Sequence, residues 1–193
     1  MTRATTATLT AALAATFVSV ATSPVTRAAA GSPADRKPSV ERGGYLVRIM
    51  GCNHCHTPYK LGPSGPEPDM SRALSGHPAD FAMPAPPTLA NAWNWAGAAT
   101  NTAFVGPWGV SFTANLTPDP ETGLGRWSAE TFIASMRTGR HEGKGRPILP
   151  PMPVENLAAL SDSDIRDLFA YLQSLPPIRN RVPQPIDPPE AAQ

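Results

Sequence analysis

Two cysteines and a histidine within five residues are the first candidates for chemistry in this chain. Cys52 and Cys55, the only cysteines, are separated by two residues, and His56 follows directly in GCNHCHTP. A structural zinc site needs four ligands and commonly uses two such pairs, but the chain has no second pair. A thioredoxin-like redox pair belongs in a βαβ context, which the surrounding sequence does not supply.

The remaining alternatives for this run are a disulfide and the covalent attachment of haem. A disulfide between Cys52 and Cys55 would leave His56 without a role. Two thiols on one turn of chain can instead add to the vinyl groups of a haem, and the next histidine then ligates the iron. C-x-x-C-H is the c-type haem attachment signal, although so short a pattern also occurs by chance. We expect one haem c, held by both cysteines, with His56 as the proximal ligand.

A haem held in this way leaves one axial position of the iron for a second ligand. Met152 lies in ILPPMPVENL, where flanking prolines stiffen the loop and could hold a thioether against iron at a small entropic cost. The plainer alternative is a loop methionine that only packs on the core. His141, within RTGRHEGKGRP, is the main rival. The other methionines and histidines considered are Met50, Met70, Met83, Met136, His54 and His77.

A helix is predicted directly before the cysteines, over residues 39–50, SVERGGYLVRIM. Tyr45, Leu46 and Ile49 are spaced to share one face. The pair Gly43–Gly44 lowers the intrinsic helix propensity. It therefore indicates either a second helix that approaches the backbone closely, or a helix that starts only after the glycines.

Two further helices are predicted, over residues 127–139 and 161–175. Each has apolar residues at helical spacing and a serine in the N-cap position, Ser128 and Ser161. Met136 falls in the apolar stripe of the first of these helices, so we expect it in the core.

Residues 58–115 have little periodicity. The chain has 24 prolines among 193 residues, and this segment holds several of them together with Trp93, Trp95 and Trp108. A structureless stretch of this length in a compact domain is usually functional. No strand with convincing alternation is evident here or elsewhere in the sequence.

The N-terminus has the pattern of a secretory signal peptide over residues 1–30. Arg3 precedes the apolar run LTAALAATFVSVA, and Ala28 and Ala30 are small residues suited to cleavage after Ala30. The run is too short for a confident membrane span, and an uncleaved anchor is the alternative. We expect an exported, periplasmic protein. Its formal net charge of +1 gives no indication of nucleic-acid binding.

In its order of elements the chain resembles a class I cytochrome c domain over residues 39–181. The order is helix, C-x-x-C-H, Gly-Pro, tryptophan-led helix, methionine loop and C-terminal helix. The resemblance implies an all-α cytochrome c fold of about three to five helices around the haem. Residues 58–115 are then interpreted as a loop-rich insertion over the haem edge. Residues 31–38 are predicted to be a linker, and residues 182–193 are predicted to be a proline-rich tail.

The motifs of that family imply roles for further residues. Gly44 matches the glycine that lets the first and last helices cross, and Tyr171–Leu172 matches the pair that packs against it. The family's Gly-Pro implies that a proline carbonyl accepts the hydrogen bond from the second ring nitrogen of the haem histidine, and both Pro63 and Pro66 qualify. Trp127 matches the tryptophan that hydrogen-bonds a haem propionate.

Three runs more narrowly resemble the haem domains of cytochrome subunits of periplasmic alcohol, gluconate and aldehyde dehydrogenases: NLTPDPETGLGRWS, RTGRHEGKGRPILPPMP and LFAYLQSLPPIRNRVP. Such subunits often carry three haem domains and a membrane anchor, whereas this chain has one haem motif and is expected to have no C-terminal anchor. The resemblance implies an electron carrier and not an enzyme. Its expected partners are a dehydrogenase as donor and a cytochrome or oxidase as acceptor.

Two alternatives in the functional interpretation stay open. A five-coordinate haem enzyme or gas sensor would require that Met152 is absent from the iron. The basic cluster at residues 137–146 either steers an acidic partner, neutralises haem propionates, or is a solvated loop.

Overall fold

Apolar faces of several helices meet in one core, which lies beside the cysteine run. The computed structural model describes residues 36–90 and 92–188. In this part of the chain the α-helices are α1 (Val40–Ile49), α2 (Cys52–His56), α3 (Ala129–Thr138), α4 (Val154–Ala158) and α5 (Asp162–Gln173). Three predicted segments lie wholly or partly outside the described residues: the signal peptide, residues 31–35 of the linker and residues 189–193 of the tail.

Helices α1 and α5 cross at two glycines. A Cβ atom on Gly43 would lie 1.9 Å from the carbonyl oxygen of Asp167, and one on Gly44 would lie 2.9 Å from Cε2 of Tyr171. Any side chain at Gly43 would therefore separate the helices. Both glycines lie inside α1, which confirms the prediction of close helix approach and rejects the later helix start.

The predicted apolar face of α1 is only partly correct. Leu46 is buried, but Tyr45 and Ile49 are 48% and 60% exposed. The reason is that α5 packs on the side of α1 that carries the glycines, and this rotates the other two residues toward solvent.

A buried carboxylate stabilises the same crossing. Asp167 on α5 is fully buried, and it accepts hydrogen bonds from both terminal nitrogens of Arg36 and from the N–H of Ser39, the last at 2.6 Å. The pairing compensates the desolvation of the carboxylate. It also fixes the chain segment that leads into α1.

The remaining predicted helices are confirmed with their caps. The Ser128 side chain accepts from the N–H of Thr131 at the start of α3, and the Ser161 side chain accepts from the N–H of Asp164 at the start of α5. Met136 is 8% exposed within the core, as expected. The fully assembled core consists of Leu46, Val47, Leu74, Leu124, Phe132, Met136, Leu157, Ile165, Leu168 and Leu172.

The prediction of an all-α fold is wrong, because the insertion contains two small antiparallel sheets. Their strands are β1 (Tyr59–Gly62), β2 (Gly65–Pro68), β3 (Ala96–Gly97), β4 (Ala103–Gly106) and β5 (Gly109–Phe112). β1 pairs with β2, and β4 lies between β3 and β5. Strands of two to four residues are too short to show an alternating pattern. The fold is therefore mixed, with helices around the core and strands in the insertion.

The segment after α5 returns along the insertion. The N–H of Ile186 donates to the carbonyl of Val110 at 2.9 Å, and the N–H of Val110 donates to the carbonyl of Ile186 at 2.8 Å. A Cβ atom on Gly109, whose φ is +88°, would lie 2.0 Å from the Ile186 carbonyl oxygen. Part of the predicted tail thus adds to the edge of β5.

Within the described ranges, no helix combines the length and the apolar character needed to span a bilayer.

Candidate functional site

Helix α2 presents the cysteines and the histidine together. It is five residues long and follows Gly51, whose left-handed φ of +71° reverses the chain after α1. Cys52, Cys55 and His56 are related by helical steps of three and four residues, so they share one side of the helix. Both thiols are free and partly buried, which leaves the disulfide alternative without support.

The environment of the thiols differs from that of a redox-active pair. Burial raises the pKa of Cys52 and of Cys55, whereas redox-active cysteines have a lowered pKa that favours the thiolate. The two groups are neutral thiols at neutral pH. The two neutral thiols lie on the same side of helix α2.

The His56 ring is held in one tautomer. It is 6% exposed, and its Nδ1 lies 2.8 Å from the carbonyl oxygen of Ala114. A carbonyl only accepts, so Nδ1 carries the proton and Nε2 has the free lone pair. Burial lowers the pKa of His56, and the Ala114 hydrogen bond opposes this only in part. The neutral imidazole is the form that ligates a metal.

The acceptor on His56 differs from the predicted one. Pro63 and Pro66 are exposed in the β1–β2 hairpin, and the carbonyl of Ala114, 58 residues after His56, takes the place assigned to them. Every residue has a backbone carbonyl, so no side-chain pattern indicates which one will reach the ring. The insertion, which ends next to Ala114, displaces the acceptor far along the chain.

Met152 and Trp127 lie against the same core as helix α2. Cys52, Trp127 and Met152 are all partly buried and pack on the core cluster. The Met152 loop is tied to β5, because the hydroxyl of Ser111 donates to the carbonyl of Pro150 at 2.6 Å. The fold therefore brings Cys52 and Met152 to one core, although the two residues are far apart in sequence.

The rival ligands occupy different environments. The His141 side chain is exposed and packs edge-on against Trp127, with ring centroids 5.1 Å apart. His77 is fully buried, and its Nδ1 lies 2.9 Å from Oγ1 of Thr102. Met70 is 63% exposed on a 3₁₀ turn.

The set of donors fits a covalently attached haem. It consists of two free thiols on one face of a helix, a neutral imidazole with an available Nε2 and a thioether on the adjoining core. Across residues 36–90 and 92–188, the structure assembles no cluster of three or more His, Cys, Asp or Glu side chains for a metal ion.

Comparison with known proteins agrees with this donor set. The chain is 30% identical over 132 residues to the cytochrome c subunit of a quinone alcohol dehydrogenase from Gluconobacter oxydans, which covers 68% of this chain and 20% of that protein. It is 26% identical over 138 residues to a fructose dehydrogenase cytochrome subunit from Gluconobacter japonicus, which covers 72% and 21%. The chain contains a cytochrome c domain of this kind. The resemblance inferred from the sequence is confirmed.

The cytochrome c domain is also similar to a further cytochrome subunit. It is 27% identical over 132 residues to the gluconate 2-dehydrogenase cytochrome c subunit of Pantoea cypripedii, which covers 68% of this chain and 22% of that protein. The chain thus spans about a fifth of the length of each of these three cytochrome subunits. No protein-family model matches the chain.

Two buried asparagines near His56 in this cytochrome c domain are assigned no role by any of the sequence motifs. Asn115 is 3% exposed and Asn180 is 4% exposed, and both lie in the loops around Ala114. Asn115 could have been noticed from Asn-Leu-Thr, because its Oδ1 accepts from the N–H of Thr117 in a local Asx turn. Asn180 has no such local signal, because the partners of its side chain lie 101 to 105 residues away.

Proposed function

We propose that this cytochrome c domain carries single electrons through one covalently bound haem c. In this proposal Cys52 and Cys55 form the thioether links, His56 ligates the iron through Nε2, and Met152 is the second axial ligand. When bound, the haem supplies one-electron ferric–ferrous chemistry. The observation that carries the proposal is the hydrogen bond from His56 Nδ1 to Ala114, which leaves Nε2 free beside two free thiols.

The axial ligands decide between an electron carrier and a haem enzyme. With both His56 and Met152 bound to the iron, no coordination position would be open to a substrate, and the domain would only exchange electrons. The soft thioether of Met152 favours the ferrous state and raises the reduction potential. A five-coordinate haem enzyme or sensor is the alternative. Met152 packs on the same core as Cys52, and the spectrum described below separates ligation of the iron from packing alone.

The similar proteins support a dehydrogenase as the electron donor. They are cytochrome subunits named for alcohol, fructose and gluconate dehydrogenases. We take the acceptor to be a cytochrome or an oxidase. Because this chain has one C-x-x-C-H motif, the proposal assigns one haem to it.

The proposed site of action is the periplasm. The signal-peptide pattern over residues 1–30, with cleavage after Ala30, supports export.

Of the three further residues expected around the haem, the tryptophan keeps its expected role and the two prolines do not. Trp127 remains the proposed partner of a haem propionate. Pro63 and Pro66 are replaced by Ala114 as the acceptor for His56.

A basic loop supplies the proposed encounter surface for an acidic partner. Arg140, Lys144 and Arg146 are exposed around a 3₁₀ turn, and none of them forms an ion pair within the described residues. Arg137 differs, because it pairs with Asp162. Free surface cations accelerate association with an acidic partner, and salt screens them.

The test is an absorption spectrum of protein made in cells that attach c-type haem. We expect a red wild-type protein whose oxidised form shows the weak long-wavelength band of methionine-ligated haem, and which does not bind carbon monoxide. Met152→Ala should lose the band and bind carbon monoxide. Met70→Ala is the matched control, since Met70 is 63% exposed, and it should behave as wild type.

Two outcomes would contradict the proposal. Colourless wild-type protein, with no haem stain in a denaturing gel, would exclude haem attachment. A red wild-type protein that binds carbon monoxide would keep the attachment but exclude Met152 as a ligand and favour the five-coordinate alternative.

A further inference from the structure

The chain on both sides of the Ala114 carbonyl, which accepts from His56, is fixed by further contacts. On one side, the neighbouring Asn115 side chain donates from Nδ2 to the carbonyl of Ile178 at 2.7 Å. Its Oδ1 accepts from the N–H and the hydroxyl of Thr117, at 3.0 and 2.7 Å. The peptide that follows Ala114 is therefore fixed to the segment after α5.

On the other side, the segment around Gly76 lies against the same carbonyl. The N–H of Gly76 donates to the carbonyl of His56 at 2.8 Å. A Cβ atom on Gly76, whose φ is +78°, would lie 2.7 Å from the Ala114 carbonyl oxygen. The backbone of Gly76 thus touches both the haem histidine and its acceptor.

Asn180 fixes that segment. Its Nδ2 donates to the carbonyls of Ser75 and His77, on both sides of Gly76, at 2.7 and 2.8 Å. Its Oδ1 accepts from the N–H of Ala79 at 2.9 Å. One buried amide therefore determines the path of the chain that lies against Ala114.

The two asparagines belong to one network. The hydroxyl of Thr122 accepts from Nδ2 of Asn115 at 3.2 Å and from the N–H of Asn180 at 3.0 Å. The same hydroxyl donates to Asp119 at 2.6 Å. Because the network is buried and its members are paired, it is rigid.

We infer that Asn115 and Asn180 are positioning residues that set the reduction potential of the haem through the Ala114–His56 hydrogen bond. The inference rests on the proposed function, since it requires His56 to ligate the iron. A firm hydrogen bond from Nδ1 raises the basicity of Nε2. The more basic imidazole stabilises the ferric state, so the asparagines lower the potential.

The test measures the reduction potential of holo-protein by spectroelectrochemistry for wild type, Asn115→Ala and Asn180→Ala. At a fixed ambient potential, the ferrous-to-ferric ratio of each variant should rise about tenfold, which for one electron is about 59 mV. Exchange of the His56 Nδ1 proton with solvent, followed by NMR, should become faster in parallel. Thr122→Val is a milder neutral variant of the same network and should shift both readouts in the same direction.

Ile165→Val is the control for a purely structural role. Ile165 is fully buried on α5 and takes no part in these hydrogen bonds, so the variant should unfold more easily and keep the wild-type potential. Asparagine variants that lose stability but keep the wild-type potential and proton exchange would overturn the inference and leave the proposed function intact. Wild-type protein without haem would overturn both.

Discussion

The helical region, made of α1, α3, α4 and α5, and the insertion, residues 58–115, bury different kinds of side chain. Nearly all buried side chains of the helical region are apolar, with Ser135 and Asp167 as exceptions. Among its described residues, the insertion buries the polar residues Ser75, His77, Thr100, Thr102, Ser111 and Asn115, beside four aliphatic or aromatic residues and two prolines. Apolar packing is non-directional, whereas each buried hydrogen bond requires one geometry.

The difference explains how the two regions divide the candidate haem site. Cys52 and Met152 lie on the apolar core, which gives a tight, water-poor surface. His56 is held by Ala114, at the boundary with the polar insertion, which sets the direction of its ring. We conclude that the core supplies burial and the insertion supplies orientation. Substitutions in each region can break or sharpen this division.

The largest effect is expected from Ile165→Ala, because Ile165 is fully buried in the core. Removing its side-chain atoms leaves a cavity and should lower the free energy of unfolding by about 4 kcal/mol. Guanidinium unfolding followed by circular dichroism measures this. Ile186→Ala is the control, since Ile186 is 53% exposed on the returning segment. Equal losses of unfolding free energy in Ile165→Ala and Ile186→Ala would contradict the contrast between core and surface.

Gly43→Ala tests the crossing on which the helical region depends. Its Cβ would meet the backbone carbonyl of Asp167, which cannot move aside without α5, so we expect a loss of about 3 kcal/mol. Gly44→Ala meets only the ring of Tyr171, at 2.9 Å, and should lose less. Thermal and chemical unfolding give the ranking, and a reversed order would place the tighter contact at Gly44.

Thr102→Val tests the polar insertion. The Thr102 hydroxyl accepts from His77 and donates to Thr100, both at 2.9 Å. Its removal leaves buried groups without a partner and should lower the free energy of unfolding by about 2 kcal/mol. Thr138→Val is the exposed control, since the Thr138 hydroxyl shares its proton between the carbonyls of Ala134 and Gly143 at the surface. Equal losses of unfolding free energy in Thr102→Val and Thr138→Val would show that burial of the Thr102 hydroxyl does not matter.

The smallest effect concerns pH. Burial, and secondarily Arg72, lower the pKa of His77, and its buried Nε2 has no protein partner within the described residues that could compensate a charge. The unfolded chain therefore binds a proton more readily than the folded one. The contribution of His77 to stability should be complete above about pH 6.5 and lost as the pH falls toward the lower folded pKa.

Unfolding free energies at pH 7.5 and 5.5 measure this dependence, since about pH 6.5 lies between them. The decrease on acidification should be smaller in His77→Gln than in wild type. It should be unchanged in His141→Gln, whose side chain is exposed. An identical decrease in wild type and His77→Gln would exclude His77 as its source.

The sequence was sufficient to predict the three main helices, the serine caps of α3 and α5 and the core position of Met136. Helical periodicity and capping are local, so they can be read within about ten to fifteen residues. The C-x-x-C-H spacing of Cys52, Cys55 and His56 is equally local, and it predicts the haem attachment that is part of the proposed function. The low helix propensity of Gly43 and Gly44 left two alternatives, close approach of another helix or a later helix start, and only the crossing with α5 decided for the first.

Only the tertiary structure decided the remaining features. The short strands of the insertion have no readable alternation, because each contains at most four residues. The acceptor on His56 is a backbone carbonyl 58 residues away, and Asn180 reaches segments more than 100 residues before it. Backbone carbonyls look alike in every sequence, and long-range hydrogen bonds depend on where loops end in space. The sequence therefore determined the main helices, and the fold determined how His56 is held.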